Sequence, residues 1–229
     1  MRKPLLSGSI LDADFACVVK HVREAVKGGV DILHFDVADT SYTPTISFGP
    51  RVVASIARES QVPGEVHLMV EKPEHLVDQF SGSGVERLYF HLEATRTPYR
   101  LIQKIADEGL KPAVALNPSA RVELVEPLLP HLDAVLILLV EPGLGGQRML
   151  TGALSKATIL KELREREKLD FLITVDGGVK LDNISQVVKA GVDVIVVGSA
   201  IFAGGDPFTA AQTLKKRILE ESGRTPFDT

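Results

Sequence analysis

Two histidines and two aspartates stand where apolar, β-prone runs end. His34 and Asp36 close the run Val30-Asp31-Ile32-Leu33-His34-Phe35-Asp36, His67 sits in Val66-His67-Leu68-Met69, and Asp176 ends Thr174-Val175-Asp176. Successive side chains of a strand point to opposite faces, so His34 and Asp36 share a face and can reach one ion or substrate. Together the four make an N2O2 donor set suited to one divalent ion such as zinc, iron, cobalt or manganese. Each residue alone has a plainer explanation: a strand-end His or Asp is ordinarily satisfied by neighbouring backbone, and an Asp before Gly-Gly by capping a helix. Their recurrence at the ends of several strands argues for a common site.

Those strands belong to a regular alternation. Short apolar runs at 5–10, 31–37, 64–70, 86–91, 111–116, 133–139, 171–175 and 193–198 alternate with segments of helical period at 15–27, 50–60, 73–81, 98–108, 121–128, 151–168, 182–190 and 207–220. Gly28-Gly29 and Gly109 read as helix stops. Eight βα units predict an α/β fold, a (β/α)8 TIM barrel in one domain over residues 1–220, with 221–229 a loosely held tail. A chain of 229 residues, 45% of them hydrophobic, suits one such barrel. In this architecture active sites form at the C-terminal ends of the strands, where the four residues lie.

The same ends carry glycine loops suited to an anion. Glu141-Pro142-Gly143-Leu144-Gly145-Gly146-Gln147 follows the sixth run, Gly177-Gly178 the seventh and Gly198-Ser199 the eighth. Tight turns use the same residues, but glycine loops after three consecutive strands point to backbone amides cradling a phosphate.

The formal net charge of −4, with no basic block, argues against nucleic acid or an anionic membrane as partner and for a small ligand. The sole cysteine, Cys17, excludes an internal disulfide and fits a reducing compartment. No run reaches transmembrane length, and Leu5-Leu6 is cut short by Ser7-Gly8-Ser9, so a cytoplasmic protein is expected. His91 is balanced between lining the cavity and a structural hydrogen bond, whereas His21, His75 and His131 read as solvated. The mixed charges of Lys161 to Lys168 read as a solvated helix face.

Ser9-Ile10-Leu11 with Ala13-Asp14-Phe15, His34-x-Asp36, Val66-His67-Leu68-Met69-Val70, Pro142-Gly143-x-Gly145-Gly146-Gln147, Asp176-Gly177-Gly178 and Gly198-Ser199-Ala200-Ile201-Phe202 run in register from about Ser7 to Phe202. Together they resemble the ribulose-phosphate 3-epimerase family. The resemblance implies a TIM barrel that interconverts D-ribulose 5-phosphate and D-xylulose 5-phosphate. It implies Asp36 and Asp176 as the acid/base pair and His34, Asp36, His67 and Asp176 as ligands of one divalent metal. Ser9, His67, Gly143, Leu144, Gly145, Gly146, Asp176, Gly177, Gly178, Gly198 and Ser199 become substrate contacts. Barrels of the family are often oligomeric, so a homo-oligomer is the expectation.

The chain also departs from the family pattern. Ala38-Asp39-Thr40 stands for Met-Asp-Gly, Asp12 for Ser, Thr45 for Asn, and Leu138-Leu139 for Met-Thr. These changes reshape the apolar cap near the site and leave the acid/base set intact, so substrate identity is less constrained than reaction type. A paralogous 3-epimerase of another ketose phosphate, such as allulose 6-phosphate, is the nearest alternative. A non-catalytic sugar-phosphate-binding barrel is the alternative from another class. A lyase or decarboxylase on such a barrel commonly uses a lysine, and no strand end offers one.

Overall fold

Eight parallel strands close in sequence order in the computed structural model, which describes residues 2–223. They are β1 (Leu5–Ser9), β2 (Ile32–Ala38), β3 (Gly64–Met69), β4 (Val85–His91), β5 (Lys111–Leu116), β6 (Ala134–Leu138), β7 (Leu172–Asp176) and β8 (Val194–Val197). β8 returns to β1 with Leu5 opposite Val194 and Gly8 opposite Val197. The expected (β/α)8 barrel is therefore the fold.

Around it lie α1 (Val18–Lys27), α2 (Pro50–Ser60), α3 (Pro98–Asp107), α4 (Ser155–Glu167), α5 (Ile184–Lys189), α6 (Ser199–Phe202) and α7 (Pro207–Glu221). Proline opens α2, α3 and α7, where its missing N–H costs nothing. Gly29 and Gly109, with φ of 109° and 76°, take the left-handed conformation that ends α1 and α3 as the sequence predicts.

Two expected helices are replaced by 3-10 turns. Residues 121–128 form turns at Val122–Leu124 and Glu126–His131, because Pro127 and Pro130 remove donors an α-helix would need. Residues 73–81 form turns at Pro73–His75 and Val77–Phe80, broken at Leu76 with φ −111°. α6 is an added turn of helix where the sequence suggested only a loop. Glu221, assigned to the loose tail, is the last residue of α7 and pairs with Arg217 at 2.9 Å. Residues 224–229 of that tail lie outside the described residues.

Strand alternation sorts side chains into two cores. Outward-facing Leu33, Phe35, Val66, Leu68, Leu88, Phe90, Val135, Ile137, Ile173 and Ile195 are fully buried under the helices. Each such side chain contributes about 1.5–3 kcal/mol of burial. Inside the barrel, Tyr89, Ala113, Ala115, Ala134, Leu136, Leu138 and Val196 pack together, the alanines of β5 and β6 leaving room for the tyrosine. The rest of the interior is polar, with Ser7, Ser9, His34, Asp36, Glu65, His67, Arg87, His91 and Thr174 all buried. Such an interior is stable only if these groups satisfy one another.

Candidate active site

Register brings the four sequence-predicted donors together. Asp36 lies opposite His67 across β2 and β3, and barrel closure carries Asp176 of β7 to the same place. One ligand atom from each of His34, Asp36, His67 and Asp176 falls within 4.8 Å of all the others. Asp36 Oδ1 is 3.1 Å from His67 Nδ1 and 3.4 Å from His34 Nε2, while its Oδ2 accepts from Ser9 Oγ at 2.6 Å. His34 Nε2 is buried without a hydrogen-bond partner, in the middle of this donor set. An orphaned ring nitrogen among two carboxylates and a second imidazole is what a divalent cation would satisfy, so the residues fit the ion expected from their types.

Beneath the donors lies a buried layer that sequence reasoning missed. Glu65 Oε1 accepts from Ser7 Oγ at 2.8 Å and lies 2.9 Å from His34 Nδ1. Its Oε2 accepts from Arg87 at 3.0 Å and from the Tyr89 hydroxyl at 3.1 Å. Arg87 also binds Asp133 through Nε at 2.6 Å. With Nδ1–H donated to Glu65, a neutral His34 would offer its Nε2 lone pair to a cation bound by the cluster. The available signal was spacing: Glu65 shares a face with His67, as Arg87 and Tyr89 share one with His91.

His67 is oriented from its other side. Its Nε2 is 2.9 Å from Nε2 of His91, whose Nδ1 is 2.9 Å from the Tyr42 hydroxyl. Tyr42 donates to Glu93 at 2.9 Å and receives a hydrogen bond from Asn117 at 2.6 Å. When a cation takes the Nδ1 lone pair of His67, one proton arrangement satisfies the chain: Tyr42 donates to Glu93, His91 Nδ1–H to Tyr42, and His67 Nε2–H to His91. That leaves the Nδ1 lone pair of His67 facing Asp36 and any cation beside it. His91 is thus a buried hydrogen-bonding residue. His75 and His131 are exposed, and His21 is half-buried against Cys17.

The two aspartates differ in ionisation. Burial raises the Asp36 carboxyl, but His34 and His67 outweigh it and hold the group well below the usual carboxylate range. Asp176 is pushed up to about 7, by burial first and then by the Asp36 charge. Burial opposes charge on His34, yet Asp36 and Glu65 draw its pKa well above the ordinary imidazole value. Burial lowers His67 and, with His67 beside it, His91. Without a cation the two carboxyls therefore differ, Asp36 favouring its ionised form and Asp176 taking up a proton more readily, the division of roles that acid/base chemistry uses.

Above the donors the cleft is lined by Ser9, Asp36, His67 and Asp176, by Gly143 to Gly146, by Gly177, Gly178, Gly198 and Ser199, and by Met69, Leu138, Val140 and Val196. Every predicted substrate contact thus lines the cleft, and of the predicted metal ligands His34 alone does not, being fully buried. Gln147 ties the glycine loop closed by donating to the carbonyls of Glu141 at 2.6 Å and Leu144 at 2.9 Å. Gly178, with φ 66°, could not carry a Cβ, which would lie 2.5 Å from the Met149 amide nitrogen. Of the sequence departures, Leu138 and Asp12 line the cleft, and Thr45 binds the Gly143 carbonyl. Leu139 instead points outward into the core. Thr40 holds φ 71°, a left-handed conformation uncommon for a β-branched residue.

Residues 5–202 match the sequence model of the Ribulose-phosphate 3 epimerase family. Ribulose-phosphate 3-epimerase of Aquifex aeolicus is 36% identical over 215 residues, covering 94% of this chain and 97% of that protein. The Bacillus subtilis enzyme of the same name is 38% identical over 199 residues, covering 86% and 92%. Among solved structures, KGPDC of Streptococcus mutans superposes with a TM-score of 0.70 at 15% identity, covering 95% of this chain and 98% of that one. A mutant tryptophan synthase α-subunit from Pyrococcus furiosus gives 0.69 at 16% identity, covering 97% and 98%. These two likenesses concern the barrel alone.

Proposed function

Since the chain belongs to the ribulose-phosphate 3-epimerase family and is an isomerase, we propose that it inverts C3 of a ketose phosphate, with D-ribulose 5-phosphate and D-xylulose 5-phosphate as the pair. The observation that carries this reading is the convergence of two carboxyls, Asp36 on β2 and Asp176 on β7, on one cleft beside His34 and His67. A C3 proton is acidic because it lies next to the ketone. The ionised Asp36 takes it from one face of the sugar, an enediolate forms, and the protonated Asp176 returns a proton to the other face. In the reverse direction the two exchange roles. A divalent ion held by His34, Asp36, His67 and Asp176 would supply Lewis acidity that offsets the enediolate charge.

Ser9 keeps Asp36 aimed by donating to Oδ2, and the amides of Gly177, Gly178, Gly198 and Ser199 hold the phosphate. Met69, Leu138, Val140 and Val196 cover the reacting carbons with apolar surface and exclude water. A homo-oligomer is part of the same proposal, measurable by light scattering.

Asp36→Asn and Asp176→Asn should each abolish exchange of the C3 proton with solvent, and substantial turnover remaining in both variants would defeat the assignment. Leu138 in the cleft, with Ala38 buried beside Met69, favours a second reading in which another ketose phosphate, such as allulose 6-phosphate, is preferred. A panel of purified ketose phosphates decides between them. Binding without C3 exchange in metal-replete protein would instead favour a non-catalytic barrel.

A further inference from the structure

Where the cleft would take an anion, a carboxylate of the protein already stands. Asp12 ends the 3-10 turn Ile10–Asp12 that follows β1. Its side chain lies between the two glycine segments of the cradle. A Cβ built on Gly145 would collide with Asp12 Oδ1, and one built on Gly198 would lie 3.0 Å from Oδ2. Among the described residues lining the cleft there is no lysine or arginine, whereas Asp12, Asp36, Glu141 and Asp176 all reach it. An incoming phosphate would find backbone amides and small neutral polar side chains to bind it, no cationic side chain, and the Asp12 carboxyl beside Gly145 and Gly198. A hydroxyl in the same position would meet no such repulsion and could donate to Asp12.

We propose that Asp12 is a specificity-determining residue: by holding the anion position itself, it lowers this cleft's preference for a phosphorylated ketose over the same ketose with a free terminal hydroxyl. The inference rests on the cradle assigned in the proposed function and deepens it. Asp12→Asn keeps the shape and removes the charge, while Asp12→Ser removes both charge and bulk.

Two readouts on metal-replete protein test it. By calorimetry, inorganic phosphate should bind each variant at least about tenfold more tightly than the parent. The ratio of kcat/KM for ribulose 5-phosphate to that for ribulose should rise by a similar factor. Adding Gly198→Val to Asp12→Asn should cancel the gain in phosphate binding, which locates that binding in the cradle and not at the metal. Phosphate binding that is unchanged or weakened in folded variants of normal metal content overturns the proposal, as does a gain that survives Gly198→Val. Failure of the epimerase reading is distinguishable. If no ketose is turned over by parent or variant, that reading falls while the calorimetry still decides the role of Asp12. If epimerisation is found and phosphate affinity does not move, only the role of Asp12 falls.

Discussion

Glu65→Gln keeps the size and shape of the side chain and alters only its charge and two of its acceptor sites. In the parent, Glu65 accepts from Ser7, Arg87 and Tyr89 and takes the Nδ1–H of His34, all in the fully buried barrel interior. A glutamine amide cannot satisfy all four, because its NH2 must turn toward donors on one side. Arg87 then keeps only Asp133, whose side chain is 31% exposed. Breaking a buried ion pair costs about 3–5 kcal/mol, and the surviving Asp133 contact places the loss near the lower end, about 3 kcal/mol. If the amide NH2 faces His34, the imidazole loses the acceptor that fixes its tautomer, and metal affinity falls about 10–100-fold. Urea unfolding of metal-free protein reads the first effect as a lower midpoint at constant slope. Competition with a chromogenic chelator reads the second. A variant within about 0.5 kcal/mol of the parent, with unchanged metal affinity, would refute the view that Glu65 supports the barrel interior and orients His34.

His91→Leu removes the acceptor for His67 Nε2–H and should cost about 1–3 kcal/mol for a buried unpaired donor, together with roughly tenfold weaker metal binding, measured by unfolding and chelator competition. Exhaustive chelation should abolish turnover and lower the thermal midpoint, and re-addition of zinc, iron, cobalt or manganese singly, with elemental analysis, should identify the ion that restores both. Gly198→Val alone should weaken the phosphorylated ketose while sparing the unphosphorylated one and the metal content, because the atoms nearest a Cβ there belong to Asp12 and Ser9 and none to a metal donor; steady-state kinetics with both sugars checks it. Phe35→Ala should cost about 3–5 kcal/mol by cavity formation, since the ring is fully buried in the outer core and packs edge-on to Phe48; urea unfolding reads the loss.

Much of the architecture is local and so was legible from the residues alone. Apolar runs of strand length, helical segments between them, and the glycines that end α1 and α3 report conformations each segment favours by itself, and all eight strands lie where those signals put them. His34, Asp36, His67 and Asp176 were visible as candidates for the same reason, each at the end of an apolar run. The loose fit of 73–81 and 121–128 is local too, and in the second the prolines were there to be read.

What required the closed barrel was partnership. Glu65, Arg87 and Tyr89 are ordinary strand residues until curvature turns one face of β2, β3 and β4 inward and leaves no water to solvate them. The contrast between Asp36 and Asp176 likewise has no local origin: one is held ionised by two imidazoles and the other is driven up by burial and its neighbour's charge. Asp12 was legible only as one of several departures near the site, and only the approach of the β6 loop and α6 to the turn after β1 sets its carboxyl between Gly145 and Gly198. Periodicity and turn chemistry act within a few residues along the chain, whereas desolvation and charge coupling act across space, between groups that only the folded barrel makes neighbours.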